Sequence, residues 1–236
     1  MITIPKSIKI FITDADWTLF VYKNNPFYSS WDALGMCLST ERKKEWFIVR
    51  DKDKYPKEMD RIDSLSLPEE IKLEEKRKIE GRRFRKDLEL LKGYGIAYFK
   101  EKIFSIPYTK GAKKFFRNIQ KNKLKGSISA GIDFIIEKAA YELKMNFFSC
   151  PNLYNLNGVF IGGGKAIVNL RNKKEIFLAW CSKYNVDPKG VCYFGDNLNC
   201  VNILESCFGI AVNPENERVE KAAKYSVKDF CEIKLE

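Results

Sequence analysis

Residues 11–20 read Phe-Ile-Thr-Asp-Ala-Asp-Trp-Thr-Leu-Phe, so a short apolar run leads directly into two carboxylates two residues apart. Residues 8–13 are rich in β-branched and aromatic side chains, which predicts a buried strand. If the extended backbone continues, Asp14 and Asp16 point to the same side, because side chains of a strand repeat every second residue. Two carboxylates in one small space repel each other, and a hard divalent cation such as Mg²⁺ relieves that repulsion. A simple turn is the alternative interpretation of the pair.

The composition narrows the chemistry that the chain can perform. Its 236 residues are 45% apolar, which supports a packed interior, and its net charge of +11 favours anionic partners, although a lysine-rich surface accounts for much of such an excess. The sequence contains no histidine. Catalytic triads with histidine, Cys-His catalysis and histidine metal sites are therefore excluded, and carboxylates, lysine, hydroxyls, thiols or a metal must carry any reaction.

The cysteines and the N-terminus indicate where the protein works. Seven cysteines are scattered singly without a Cys-x-x-Cys spacing, as expected for buried thiols in a reducing compartment. The first apolar run is interrupted by Lys6, Lys9 and Asp14, which is not typical of a signal peptide, and no segment is apolar enough for a membrane span. We therefore expect a cytoplasmic protein without a membrane partner.

A charged, helical segment follows the acidic pair. Residues 22–105 show few strand signals, and residues 31–47 and 68–91 are the clearest amphipathic stretches. Ser29 or Ser30 is expected to cap the first of these helices. The basic cluster at residues 82–86 is interpreted as a solvated helix face paired with acidic neighbours, and nucleic-acid binding is the alternative.

Beyond Pro107 strand-like and helical segments alternate. Strands are predicted at 124–129, 146–150, 191–194 and 208–212, a hairpin at 154–168 turning at Asn157-Gly158, and helices at 110–121, 133–143, 172–184, near Cys200 and at 214–224. These repeated units predict an α/β fold with a parallel sheet covered by helices. Ligands of such sheets bind at the carboxyl ends of the strands. Polar residues stand at those ends: Asp14 and Asp16 after the first strand, Ser129 before Ala130 and Gly131 after the second, and Asp196 directly after Gly195 at a later one.

With these clusters in order, the chain resembles the haloacid dehalogenase superfamily of hydrolases, and most of all its phosphoserine phosphatase-like branch. Asp14, Asp16 and Thr18 match the first motif, Ser129 the second, Lys173 the third with Lys174 as the less favoured occupant, and Gly195, Asp196 and Asn199 the fourth. The resemblance implies a Rossmannoid parallel sheet of strand order 3-2-1-4-5. It also implies a helical C1-type cap inserted after the first strand, giving a core domain of residues 1–21 and 106–236 and a cap of residues 22–105.

The resemblance also implies the roles of individual residues. Asp14 is expected to be the nucleophile and Asp16 the general acid and base of a Mg²⁺-dependent phosphatase that forms an aspartyl-phosphate. Mg²⁺ is expected to bind the Asp14 carboxylate, the Asp16 backbone carbonyl and the Asp196 carboxylate. The phosphate-binding residues implied are Ser129, Ala130, Lys173 and Asn199, and the substrate is a small phosphorylated metabolite.

Three positions depart from the pattern of that branch. Cys200 stands four residues after Asp196, where a second acidic residue is common, and this predicts a weaker or differently supported metal site. Trp17 replaces a small residue and is expected to narrow the entrance or to line it for stacking. Lys23 stands where a glutamate meets the amino group of phosphoserine, so a lysine favours an acidic or neutral leaving group.

Two other functions stay open at this point. The chain could be a binding protein that has kept the fold and lost turnover, which Cys200 and Trp17 favour. It could also act on nucleic acid, given its charge and the absence of acidic residues between Lys102 and Asp133. We consider nucleic acid the less favoured partner, and the oligomeric state is not predicted.

Overall fold

Short runs of β-branched and aromatic residues form the strands, which are mostly parallel. The computed structural model describes residues 1–22, 29–51 and 54–236. Within these residues the strands are β1 (Ile2–Ile4), β2 (Ile10–Thr13), β3 (Leu124–Ile128), β4 (Phe147–Ser149), β5 (Asn152–Leu156), β6 (Val159–Lys165), β7 (Val191–Gly195), β8 (Phe208–Val212), β9 (Tyr225–Val227) and β10 (Ile233–Leu235). The helices are α1 (Ser30–Met36), α2 (Thr40–Val49), α3 (Lys54–Asp63), α4 (Glu69–Leu91), α5 (Ile96–Ile103), α6 (Ala112–Asn118), α7 (Asp133–Leu143), α8 (Lys173–Lys183), α9 (Val201–Leu204) and α10 (Glu217–Ala222).

The central sheet has the order β4-β3-β2-β7-β8-β9, and all of its strands are parallel. Counting from β2, the first five of its strands follow the predicted order 3-2-1-4-5, so the α/β prediction is confirmed. The sixth strand, β9, was not predicted, because its three residues are too short to show a period. The second parallel pair, β1 with β10, was missed for the same reason. The expected hairpin is present as β5 and β6, and Asn157 and Gly158 at its turn both have positive φ, of 50° and 78°.

Helices cover both faces of this sheet. In β7, Phe194 faces a cluster that contains Phe115 and Phe116 of α6, whereas Tyr193 faces the opposite cluster with Phe177 of α8. This alternation follows from the two-residue period of a strand, and both clusters are buried. The carboxyl end of β2, which is bordered by β3 and β7, therefore opens between two layers of helices.

The helical segment between β2 and α6 differs from the prediction in one place. The stretch 31–47 forms two helices, α1 and α2, that are separated at Cys37–Ser39. The chain folds back there because the indole of Trp46 packs on Gly35, where an added Cβ would come within 2.2 Å of the ring. Ser29 is the N-cap of α1 and accepts a hydrogen bond from the N–H of Asp32. Helix α4 was predicted closely at 68–91. Division of the chain into a core domain and a cap stays a prediction.

Among the described residues, no helix combines the length and the apolar character that crossing a bilayer requires.

Candidate active site

Asp14 lies at the carboxyl end of the central strand. Its N–H donates to the carbonyl of Phe194 at 2.9 Å, which continues the pairing of β2 with β7 by one residue. Its side chain is buried, and Oδ1 accepts a hydrogen bond from the N–H of Ala15 at 2.7 Å. The carboxylate is thereby oriented by the backbone, and Oδ2 points toward Lys173 and Cys200.

Lys173, the first residue of α8, forms a buried ion pair with Asp14. Its Nζ donates to Oδ2 of Asp14 and lies 3.7 Å from Sγ of Cys200. Burial acts to lower the pKa of Lys173, yet the negative charge of Asp14 holds it above its usual value. Lys174 is exposed, so the structure places the predicted lysine, and not its neighbour, in the site.

Asp196 follows β7 and completes a group of three possible ligands. Its Oδ1 accepts a hydrogen bond from the hydroxyl of Thr18 at 2.8 Å. Ligand atoms of Asp14, Asp196 and Cys200 all lie within 4.8 Å of one another, and all three residues are buried. Burial, and next the charge of Asp14, raise the pKa of Asp196 well above its ordinary value. Two buried carboxylates with a single lysine between them suit a divalent cation, which would stabilise their charged forms.

Asp16 is turned away from that group and held by two other residues. Its Oδ1 accepts a hydrogen bond from the hydroxyl of Tyr22, and its Oδ2 accepts from the hydroxyl and the N–H of Ser30, at 2.9 and 3.2 Å. Burial outweighs these hydrogen bonds and, together with the charge of Asp14, raises the pKa of Asp16 to about 6. A carboxyl group of this kind can both donate and accept a proton near neutral pH. The Asp16 side chain is not among the three possible ligands, and binding of a metal by its backbone carbonyl stays a prediction.

Tyr22 and Ser30 were not predicted from the sequence as partners of Asp16. Ser29 or Ser30 was expected to cap the first helix, and Ser29 takes that role, which leaves the Ser30 hydroxyl to Asp16. The sequence feature that could have indicated the contact between Ser30 and Asp16 is the serine at the start of the first helix after the acidic pair. Lys23 lies outside the described residues, so its expected position near the substrate is not seen.

The loop after β3 brings Ser129 next to Asp16. Ser129 is buried, and its hydroxyl accepts a hydrogen bond from the N–H of Gly131 at 3.1 Å. A Cβ on Gly131 would lie 3.0 Å from Oγ of Ser30, 3.2 Å from Oγ of Ser129 and 3.5 Å from Oδ2 of Asp16. The glycine is therefore required for close approach. Ala130 lies at the same turn, and its carbonyl accepts a hydrogen bond from Nε1 of Trp31 at 2.9 Å.

Asn199 lies less centrally than the other predicted residues. It belongs to the 3₁₀ turn Leu198–Cys200 and is half-buried, and its Oδ1 lies 3.4 Å from Sγ of Cys200. Cys200 itself occupies the expected position of a second acid, and its thiol donates to Oδ2 of Asp14 at 3.3 Å. Burial raises the pKa of this thiol to about 12, so it is a neutral neighbour of the carboxylates.

Trp17 has a backbone conformation that non-glycine residues rarely adopt. Its φ is 60°, directly after Asp16, and its ring lies 5.5 Å from that of Tyr22. An aromatic residue in the left-handed region costs conformational energy that the surrounding packing must offset. This kink changes the chain direction between Asp16 and Thr18, so that Thr18 reaches Asp196 while Asp16 reaches Ser30.

A cavity of about 220 Å³ opens beside Ala130, between the helical segment and the loop at 166–170. We call it the arginine cavity. Its wall includes Trp31, Arg50, Tyr55, Arg77, Glu80, Arg83, Asp87 and Ala130. It adjoins the loop that carries Ser129, so a molecule bound at the carboxylates could extend into it.

Comparisons with known proteins agree with this geometry. The haloacid dehalogenase-like hydrolase family matches residues 135–232, a range that contains Lys173 and Asp196. No curated protein matches the chain in sequence.

Solved structures share the fold over nearly the whole chain. A phosphoserine phosphatase, solved as a phospho-aspartyl intermediate analogue, is 17% identical, with a TM-score of 0.65 over 96% of this chain and 97% of that chain. A haloacid dehalogenase family hydrolase from Salmonella enterica serovar Typhi is 17% identical, with a TM-score of 0.69 over 93% and 67% of the two chains. Cytosolic 5'-nucleotidase IIIB bound to cytidine is 15% identical, with a TM-score of 0.60 over 86% and 73%. At such identities, these matches show the fold.

Proposed function

We propose that this chain, which belongs to the haloacid dehalogenase-like hydrolases, is a phosphatase that hydrolyses a small phosphomonoester through an aspartyl-phosphate and depends on Mg²⁺. One observation carries the proposal. The buried carboxylate of Asp14 lies at the end of the central strand, paired with Lys173 and within 4.8 Å of ligand atoms of Asp196 and Cys200. Two residues further on, Asp16 has a raised pKa of about 6.

Asp14 is the proposed nucleophile. One of its carboxylate oxygens forms a bond to phosphorus as the bond from phosphorus to the leaving oxygen breaks. Its Oδ1 is held by the N–H of Ala15, and the backbone of Asp14 is held by Phe194, so that the attacking group is fixed before substrate binds. Water then attacks the phosphorus of the aspartyl-phosphate, which releases phosphate and restores the carboxylate.

Asp16 is the proposed general acid and base. In its protonated form it donates a proton to the leaving oxygen, and in its charged form it takes a proton from the attacking water. The raised pKa of about 6 supports this pair of roles, because both forms are populated near neutral pH. Tyr22 and Ser30 orient the carboxyl group and are positioning residues.

Mg²⁺ would be held by the carboxylates of Asp14 and Asp196 and by the backbone carbonyl of Asp16, with water in the remaining positions. When bound, it supplies positive charge that offsets the charge of the phosphoryl group. The thiol of Cys200 is a soft donor and a poor ligand for this ion, so the two carboxylates would carry the binding. The clustering of these carboxylates and the raised pKa of Asp196 support this assignment.

The phosphoryl oxygens would be held by Ser129, the backbone N–H of Ala130, Lys173 and Asn199. Ser129 and Lys173 have the best support, since both are buried and close to a carboxylate of the site. Asn199 has less, since its recorded contact is with Cys200. Residues 22–105 would act as a cap over a core of residues 1–21 and 106–236, and closure would exclude water from the reaction.

The test is phosphate release from a panel of small phosphomonoesters, with 4-nitrophenyl phosphate included, in the presence and absence of Mg²⁺. Asp14→Asn should abolish the Mg²⁺-dependent release, because an amide oxygen is a far weaker nucleophile than a carboxylate. Asp60→Asn, an exposed position on α3, is the matched control and should match the unsubstituted protein. Undiminished turnover by Asp14→Asn would rule out Asp14 as the nucleophile.

A further inference from the structure

Most of the charges in the wall of the arginine cavity already have partners. Arg50 forms two hydrogen bonds to Asp87, at 3.2 and 2.6 Å, and the Asp87 side chain is only 1% exposed. Arg77 pairs with Glu175 at 3.1 Å, near the surface. These two arginines are therefore neutralised by carboxylates of the protein.

Glu80, the second carboxylate of the wall, is also occupied. Its Oε1 accepts a hydrogen bond from the hydroxyl of Tyr55 at 2.8 Å and lies 2.9 Å from Nε of Arg171. Its other oxygen, Oε2, is buried without a hydrogen-bond partner among the described residues. Because Arg171 balances the charge of Glu80, this carboxylate does not neutralise a further cation. Its free oxygen can accept a hydrogen bond from a hydroxyl group of a ligand.

Arg83 differs from its neighbours. Its Nε is buried, and within the described residues it has no hydrogen-bond partner, nor does the guanidinium form an ion pair there. The guanidinium stacks on the ring of Tyr55 at 4.9 Å, an arrangement that leaves the N–H edge of the fork free to bind. Burial and the nearby charge of Arg50 lower the pKa of Arg83, whereas Asp87 and Asp32 act in the opposite direction without forming an ion pair with it. An Nε group that is buried without a hydrogen-bond partner is costly, and an anion in the cavity would supply that partner.

The position of the cavity relates this cation to the reaction. Ala130, a proposed phosphate-binding residue, lies in the cavity wall, and its carbonyl is bonded to Trp31, which also lines the cavity. A phosphate bound at the backbone of Ala130 would therefore lie at the edge of the cavity whose wall also contains Arg83. The aromatic residues of the cavity wall suit a compact or planar group that joins the phosphate to the part of the substrate near Arg83.

We infer that the substrate carries a second anionic group on its leaving group, and that Arg83 binds this group in the arginine cavity. The inference rests on the proposed phosphatase function and names the substrate class within it. A planar guanidinium recognises a carboxylate and a phosphate by the same two-pronged hydrogen bonding. A leaving group with an ammonium in that place would meet a repulsive charge.

The experiment compares three aryl esters that differ at one position: phenyl phosphate, 3-carboxyphenyl phosphate and 1,3-phenylene bisphosphate. In the unsubstituted protein, kcat/KM should be at least about tenfold higher for one of the anionic esters than for phenyl phosphate. Arg83→Gln should remove most of that preference and leave phenyl phosphate within about twofold. Arg82→Gln, the exposed neighbour on α4, should leave all three rates unchanged. Which anionic ester is preferred distinguishes a carboxylate from a second phosphate.

A preference that survives Arg83→Gln, or its absence from the unsubstituted protein, overturns the inference even when phosphate is released. Thermal unfolding monitors the fold, and if Arg83→Gln does not fold, Arg83→Lys takes its place. That variant keeps the positive charge and loses the two-pronged guanidinium. The ratio of kcat/KM for the preferred anionic ester to kcat/KM for phenyl phosphate should therefore fall several-fold, and an unchanged ratio overturns the inference.

Binding separates this inference from the proposed function. Calorimetry with 3-carboxybenzyl phosphonate and benzyl phosphonate measures the same preference without turnover. If no ester is hydrolysed but the carboxylated phosphonate binds at least about tenfold more tightly in an Arg83-dependent way, phosphatase function fails while the anion site stands. If esters are hydrolysed and the two phosphonates bind equally, the anion site fails alone.

Discussion

Two buried ion pairs, Asp14 with Lys173 at the sheet edge and Arg50 with Asp87 in the helical segment, have similar chemistry and different surroundings. Arg50 and Asp87 satisfy each other through two hydrogen bonds, and the guanidinium also lies 4.8 Å from the ring of Trp31. Lys173 instead pairs with Asp14. Asp196 is a second buried carboxylate beside them, and Lys173 cannot neutralise both negative charges. The comparison teaches that a balanced pair stabilises the fold, whereas a pair with surplus negative charge is suited to bind a cation and a phosphate.

Removing the lysine should have the largest effect. Lys173→Met is expected to lower kcat/KM for 4-nitrophenyl phosphate on the order of 10³-fold, because it removes a buried donor to the phosphoryl group. The measurement is initial-rate kinetics with Mg²⁺ present. Lys174→Met, at the exposed adjacent position, is the control and should change the rate less than about twofold. Similar losses in both variants would contradict the assignment of Lys173.

Asp16→Asn should have a smaller effect that depends on the leaving group. The asparagine cannot donate a proton to the leaving oxygen, so an alkyl phosphate should lose about 10²-fold or more in rate, and 4-nitrophenyl phosphate, whose leaving group needs less protonation, should lose less. Steady-state kinetics on both esters measure the two losses. Equal losses would argue against an acid role.

Breaking the second ion pair should affect stability and not the chemistry at Asp14. Asp87→Asn leaves the Arg50 guanidinium in a largely buried place without its counter-charge, which is expected to lower the free energy of unfolding by about 3 kcal/mol. Urea denaturation measures this change. Glu89→Gln, which removes an exposed pair with Lys86, is the control and should cost less than about 1 kcal/mol. If both variants lose equal stability, burial does not distinguish the two pairs.

The smallest effect is expected at Glu142 on α7, which forms ion pairs with two lysines. Burial opposes the shift, but Lys113 and Lys138 lower the pKa of Glu142 to about 2. A lowered pKa in the folded state adds stability above the unfolded value of 4.5, and this contribution is lost as the pH falls toward 2. Glu142→Gln should therefore lower the free energy of unfolding slightly at pH 6 and have less effect at pH 3.

Urea denaturation of the unsubstituted protein and of Glu142→Gln at pH 6 and pH 3 measures this difference. The exposed Glu220→Gln of α10 is the control and should show no such difference between the two pH values. A difference for Glu142→Gln that stays constant between pH 6 and pH 3 would contradict the prediction.

Elements with a long local pattern were predicted accurately, whereas very short elements and breaks that depend on contacts between separate helices were missed. Strand β8 was predicted at its observed limits, because five consecutive apolar or small residues are buried there. Strand β9 has three residues and was missed. The break between α1 and α2 was also missed, because it depends on Trp46 packing against Gly35, a contact that amphipathic periodicity does not reveal.

The candidate site shows the same division. Asp14, Lys173 and Asp196 were named in advance and lie together in the structure. The basic cluster at 82–86 was interpreted as a solvated face, which suits Lys86 with its exposed partner but not Arg83, whose Nε is buried. Both lie on α4, and Arg83 lines the arginine cavity whereas Lys86 does not.

Local patterns in this chain were enough to specify the alternation of strands and helices, and with it the strand ends that carry the carboxylates, because periodicity and strand-end position are properties of neighbouring residues. Which charges are balanced depends on residues far apart in the chain. Lys173 reaches Asp14 across 159 positions, and Trp31 reaches Ala130 across 99. The tertiary structure alone decided these partners, because burial and electrostatic compensation arise only when distant segments pack together.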